Sequence, residues 1–264
     1  MSHRSIARRH VLLLGSSLIY MPAWAQVRDL NDAINKAGRQ RMLSQRCAKA
    51  WLALAQGVRR EQAERVLADS MALFDRQLVE LRAFATASGP RNTLAELEPR
   101  WSAYKIALVG AVPQRAGADP VLAAAGQVLA LAHQSTEQLE QLSGQPSGRW
   151  VNLAGRQRML SQRMAAAYLA ASWGVQSASQ QQALQLAQQE FRAAHTQLLA
   201  ARENTTLLNQ ELARVGQQFT FFEAALQSLQ PGQPNPRAQD EVFSTSERIL
   251  QLMDGITGQY ARSV

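Results

Sequence analysis

The chain has 264 residues, 46% of them hydrophobic and 18% charged, with a formal net charge of +8 and one cysteine. Setting aside residues 1–25, which carry three arginines and no acid, leaves +5, too modest a charge for a nucleic-acid partner. Cys47 has no second cysteine to pair with, so a disulfide within the chain is excluded and apolar packing is its expected role.

The first segment carries Arg4, Arg8 and Arg9, an apolar run from Val11 to Met21, and Ala23-Trp24-Ala25, which has the small-x-small form of a signal peptidase site. This reads as a cleaved secretory signal peptide over residues 1–25, placing the mature chain in the periplasm. The apolar run is shorter than the about 20 residues of a membrane span. Arg8-Arg9 before His10-Val11-Leu12 also resembles a twin-arginine signal, the ordinary secretory route being the expected one. No later segment reads as a membrane span, and none has room for a kinase or signalling domain, so the expectation is a soluble periplasmic chain.

From there on alanine, leucine, glutamine and arginine dominate, β-branched residues are sparse, and glycine and proline fall between long periodic segments, an all-α pattern. Breaks at Gly57, Ser88-Gly89-Pro90, Pro113 to Pro120, Ser143 to Gly148, Gly174 to Ser179, Glu203 to Thr205 and Pro231 to Pro236 delimit eight helices. Thr93 with Glu96 has a capping-box pattern, and Asp119-Pro120 and Asn235-Pro236 each put a capping side chain before a first-turn proline. At Pro99 the third helix either restarts or bends, because proline lacks the helical N–H. Four helices with short connections per half make an up-down bundle. The expected architecture is therefore two tandem four-helix up-down bundles related by pseudo-twofold symmetry, residues 26–145 and 146–264.

The division into halves rests on a repeat. Ala37 to Arg46 recurs letter for letter at Ala154 to Arg163, and Asn35 to Val58 matches Asn152 to Val175 at 17 of 24 positions, which marks an internal duplication. On a helix, Leu43, Cys47, Ala50 and Leu54 form one stripe, matched by Leu160, Met164, Ala167 and Ala171, and this stripe is the expected bundle core. The other side, with Ile34, Gly38, Arg41, Met42, Gln45, Lys49 and Leu52, mixes small, apolar and cationic residues, which points to a second helix contact.

A helical glycine costs about 1 kcal/mol relative to alanine, so Gly38 and Gly155 call for a packing or binding reason. Arg41 lies about 60° around the helix from Gly38 and Arg46 about 80° to the other side, so the two bracket it. If the first helices of the two halves lie side by side, Gly38, Arg41 and Arg46 face Gly155, Arg158 and Arg163 across one cleft. Two guanidinium groups at about 4 Å repel by about 4 kcal/mol at an effective dielectric of 20, and an anion between them turns that repulsion into charge-assisted hydrogen bonds. The planar fork of arginine suits a flat oxyanion such as nitrate, nitrite or a carboxylate. The competing reading makes these arginines surface residues or salt-bridge partners of neighbouring helices, their identity a relic of duplication.

Asn-x-Ala-Gly-Arg-Gln-Arg-Met-Leu-Ser-Gln-Arg before an alanine-rich helix resembles the first helix of the PilJ-type, NarX-like periplasmic sensor modules of type IV pilus chemoreceptors and nitrate/nitrite sensor kinases. The resemblance implies two tandem modules. In the nitrate-sensing relatives the module is a four-helix bundle that dimerises, with the ligand on the dimer axis between first helices. Carried over by motif position, that puts the anion on Gly38, Arg41, Arg46, Gly155, Arg158 and Arg163. At Arg39 and Gln40 the string is closer to the pilus-chemoreceptor version, and Lys49 against Ala166 and Trp51 against Tyr168 make any site asymmetric.

No other chemistry is indicated. His133 and His195 stand singly and read as packing or surface residues, no cluster has metal-ligand spacing, and Ser44 and Ser161 lack a base. Neither a cofactor nor an enzymatic activity is expected. The expected function is a periplasmic binding or sensing module for a small inorganic oxyanion, nitrate or nitrite, reporting to a membrane sensor or chemoreceptor. The alternative is a structural or interaction protein of a pilus or chemoreceptor system, with no small ligand.

Overall fold

The computed structural model describes residues 26–262, so the signal-peptide reading falls outside the described residues. Eight α-helices follow one another: α1 (Leu30–Ala55), α2 (Arg60–Phe84), α3 (Ser88–Val109), α4 (Ala118–Ser143), α5 (Pro146–Ser172), α6 (Ser177–Leu199), α7 (Thr206–Gln227) and α8 (Pro236–Arg262), with a 3-10 turn at Arg115–Gly117 before α4. None of them is long and apolar enough to cross a membrane.

The breaks fall at the glycine and proline clusters, but two of the expected caps do not form. α3 starts at Ser88, so Thr93 lies buried inside it and caps nothing. Gly89 and Pro90 fit the first turn, where an N–H has no helical acceptor, and that lets the helix begin earlier than the Thr93–Glu96 pattern suggests. Asp119 lies inside α4, and its carboxylate accepts from Gln176 Nε2 at 2.7 Å. α3 runs continuously through Pro99.

The start of α8 is as expected, with Asn235 Oδ1 accepting from the Ala238 N–H at 3.2 Å and Pro236 as the first helical residue. Asn235→Ala is expected to cost about 1 kcal/mol, read as a lower urea midpoint with an unchanged m-value.

α1 packs against α2, α4 and α5, while α5 packs against α1, α6 and α8; α3 lies on α4, and α7 on α8. The two motif helices are thus enclosed, and α1 is buried on almost every face between Asn31 and Ala53. Its leucine stripe meets the other helices of its half, with Leu43, Cys47 and Ala50 fully buried. Burial pushes the Cys47 thiol up, which keeps it protonated and inert. The mixed face meets α5 through Ile34, Gly38 and Arg41, while Gln45 reaches α4 and Lys49 reaches α8. α1 and α5 run parallel, since Asn31 Nδ2 donates to Ser147 Oγ at 3.0 Å near their N-terminal ends and Gln56 Nε2 donates to the Leu169 carbonyl at 3.1 Å near their C-terminal ends.

Several packing details occur once in each half. Gln40 Nε2 donates to the Phe74 carbonyl at 3.2 Å, and Gln157 Nε2 to the Phe191 carbonyl at 2.9 Å. Phe74 stacks on Trp101 at 3.8 Å between centroids, and Phe191 on Phe219 at 4.0 Å. The buried glutamines fix how far α2 and α6 slide along α1 and α5, and the stacked rings tie each of those helices to the next.

Candidate functional site

Gly38 and Gly155 face each other's arginines across the seam between α1 and α5. A Cβ placed on Gly38 would stand 3.2 Å from Arg41 Nη2 and 3.7 Å from Arg158 Nη2, and one on Gly155 would stand 3.2 Å from Arg158 Nη2 and 3.5 Å from Arg41 Nη2. Both guanidinium groups therefore lie over both glycines, in space that a methyl group would contest. Arg41 and Arg158 are each 0% exposed.

Each arginine crosses the seam to the asparagine that opens the other copy of the motif. Arg41 Nη2 donates to Asn152 Oδ1 at 2.6 Å and to the Asn152 carbonyl at 3.3 Å. Arg158 Nη2 donates to Asn35 Oδ1 at 2.9 Å and to the Asn35 carbonyl at 3.2 Å. The Nε atoms of both arginines are buried without a hydrogen-bond partner.

The second nitrogens differ. Arg158 Nη1 meets Asp254 Oδ1 at 2.5 Å, a carboxylate that Arg39 Nη2 shares at 2.7 Å. Arg41 Nη1 meets His133 Nδ1 at 3.2 Å. Since a guanidinium can only donate, Nδ1 must accept, so the imidazole is neutral with its proton on Nε2, which faces Glu137 Oε1 at 3.1 Å. Burial and then the Arg41 charge lower the His133 pKa, consistent with that form. Asn152 Nδ2 in turn donates to Glu140. Arg41 therefore has its acids at second remove, behind a histidine and an asparagine, whereas Arg158 touches one directly.

The electrostatics follow. Burial first, and then the Arg158 charge, bring the Arg41 pKa down to about 9. Burial and the Arg39 charge bring Arg158 to about 10, with Asp254 opposing. Burial works against the Asp254 carboxylate, yet Arg158 and Arg39 hold it at about 2. Both arginines remain cationic at neutral pH, in surroundings that would favour more negative charge.

Four of the six residues singled out in the sequence thus come together, namely Gly38, Arg41, Gly155 and Arg158. Arg46 and Arg163 do not join them, because eight residues of helix put them about 12 Å farther along the axis from each glycine. Arg46 instead holds Glu247 of α8, Nε to Oε1 at 3.0 Å and Nη2 to Oε2 at 2.5 Å, and Arg163 lines a separate cavity against α4 and α6. Lys49, fully buried, also reaches Glu247 Oε1 at 2.6 Å.

Sequence reasoning missed Asn35, Asn152, His133 and Asp254. The asparagines carried a signal, since they begin both copies of the matched segment. His133 and Asp254 did not, as they lie on α4 and α8, outside it. His195 stands apart, stacked on Phe191 at 6.1 Å. Ser44 and Ser161 hydroxyls donate to the carbonyls of Arg41 and Arg158, each at 2.8 Å, within their own helices.

The PilJ family model, described as the type IV pili methyl-accepting chemotaxis transducer N-terminal domain, matches residues 23–131 and 139–209. The first segment runs through α1, α2 and α3 into α4, and the second from the end of α4 into α7. No curated protein and no solved structure gives a significant match.

Proposed function

We infer that this chain, which belongs to the PilJ family of type IV pili methyl-accepting chemotaxis transducer N-terminal domains, is a periplasmic sensory module that binds a small oxyanion between Arg41 and Arg158. Nitrate and nitrite fit best, and a membrane sensor or chemoreceptor is the partner that reads the bound state. The observation that carries this reading is the pair of fully buried guanidinium groups converging on two glycines, with one carboxylate in contact and two unpaired Nε–H groups. A planar oxyanion supplies the missing negative charge and accepts in the plane of the arginine forks. The periplasmic placement rests on the signal-like residues 1–25 and on the family. Residues 26–145 and 146–264 are the two modules, meeting at the α1–α5 seam.

One observation favours the alternative, an interaction protein of a pilus or chemoreceptor system with no small ligand. All four Nη atoms of the pair already have protein partners, as a purely structural clasp requires.

Thermal melting with nitrate, nitrite, sulfate or chloride at constant ionic strength separates the two. Nitrate or nitrite at 100 times its dissociation constant adds about 2.7 kcal/mol, raising the midpoint by roughly 5 to 10 °C. The combined Arg41→Ala and Arg158→Ala variant loses that shift. So does Gly38→Ala with Gly155→Ala, which keeps the charges but fills the space over which they meet. If no oxyanion exceeds chloride, the ligand reading fails and the clasp stands.

A further inference from the structure

A cavity of about 300 Å³ lies where α4, α5 and α6 meet and is lined in part by Gln45, Gly126, Arg163, Ala166, Gln176 and Gln180. Its character emerges by comparison with the corresponding place on α1, α2 and α8. The register between the two is fixed by hydrogen bonds. Gln45 Nε2 donates to the Ala125 carbonyl at 3.5 Å, and its repeat equivalent Gln162 donates to the Ser246 carbonyl at 2.9 Å. Arg59 and Gln176, both in left-handed backbone conformation before α2 and α6, reach Asp240 and Asp119. Each of these pairs places α4 and α8 alike, so that Gly126 corresponds to Glu247.

On the α8 side, which has a cavity of about 540 Å³ of its own, the arginine is neutralised from within the chain. Arg46 holds the Glu247 carboxylate through two nitrogens and Lys49 adds a third bond. On the α4 side the guanidinium remains but its carboxylate is gone. Gly126 replaces Glu247, Ala166 replaces Lys49, and Arg163 makes no hydrogen bond or ion pair among the described residues. A Cβ on Gly126 would meet nothing within 4 Å. The cavity thus retains the cation, has lost the group that neutralises it elsewhere, and has room in its place.

We propose that this cavity is a ligand site for a small organic monocarboxylate, its carboxylate bound by Arg163 as Arg46 binds Glu247. Arg163 stands here where Arg46 and Lys49 share Glu247, so one negative charge balances it. Leu122, Leu129 and Ala183 give the walls an apolar character that suits a short alkyl chain. The site is separate from the Arg41–Arg158 pair and does not depend on the oxyanion reading.

Butyrate reproduces a glutamate side chain from Cα to carboxylate and is the probe. Isothermal titration calorimetry of the full chain is expected to show saturable one-to-one butyrate binding, with none for butyramide. Arg163→Gln weakens it at least tenfold. Gly126→Glu abolishes it, because the new side chain brings the carboxylate to Arg163 from within. Binding persists in the combined Arg41→Ala and Arg158→Ala variant. Absence of butyrate binding to the unaltered chain, or binding unchanged in either Arg163→Gln or Gly126→Glu, overturns the proposal.

Discussion

Glu247→Gln is expected to destabilise the protein by about 3–5 kcal/mol and to lower its melting midpoint by roughly 6 to 20 °C at pH 7. Among the described residues Glu247 is the sole carboxylate in contact with Lys49, which is fully buried with its ammonium 4.3 Å above the centroid of Phe243 and 3.1 Å from Ser246 Oγ. Burial already brings the Lys49 pKa down to about 8, against the pull of Glu247. Neutralising the carboxylate leaves that ammonium, and the part-buried Arg46, without an opposing charge. An uncompensated buried charge costs far more than the pair contributes, so Lys49→Met in the Glu247→Gln background should recover much of the loss. A Glu247→Gln midpoint within 2 °C of the parent would mean that the triad is not dry in solution.

The same carboxylate predicts an acid limb. Despite burial, Lys49 and Arg46 hold Glu247 at about 2, below its ordinary 4.5. Between those values the unfolded chain binds the proton and the folded chain does not. Its contribution, about 3 kcal/mol, is therefore complete above pH 4.5 and is lost as pH falls through 2. Asp254, held down from 3.8 to about 2, acts in the same direction, but its half-exposed side chain contributes less. Lys49 gives a slope of the same sign in the alkaline range: between about 8 and 10.5 the unfolded chain holds the extra proton, so stability rises with pH across that interval. Urea unfolding at pH 7, 5, 3 and 2 measures the acid limb, and Glu247→Gln should remove most of it. An unchanged slope in that variant would assign the acid sensitivity to other groups.

The helices and their order were legible because glycine, proline and a 3.6-residue period mark them plainly, and the mixed face of the motif correctly called for a second helix contact. The Thr93–Glu96 pattern misled because a capping box is a local preference, and an earlier start at Ser88 gives the helix six more residues. Gly38, Arg41 and their equivalents were readable from one helical wheel. Arg46 and Arg163 were drawn to the same cleft because a wheel shows angle and hides rise along the axis. His133 and Asp254 were out of reach, since α4 and α8 share too little sequence for their common register to be seen. That register becomes visible only through bonds such as those from Gln45 and Gln162. The difference between Gly126 and Glu247, which leaves Arg163 without the carboxylate that Arg46 has, was hidden for the same reason.

In an isologous contact between identical chains, every residue on one side of the axis is repeated on the other. The α1–α5 seam is free of that constraint, because both of its helices belong to one polypeptide. Arg41 can keep a neutral imidazole beside it while Arg158 keeps a carboxylate. Anything held between them meets two unlike flanks and has one preferred orientation, where a symmetric seam would offer two equal ones. The covalent link also fixes the effective concentration of one motif helix beside the other, so dilution does not separate them. Duplication within the chain thus makes direction at the seam a heritable property, one that a mutation in a single copy can change.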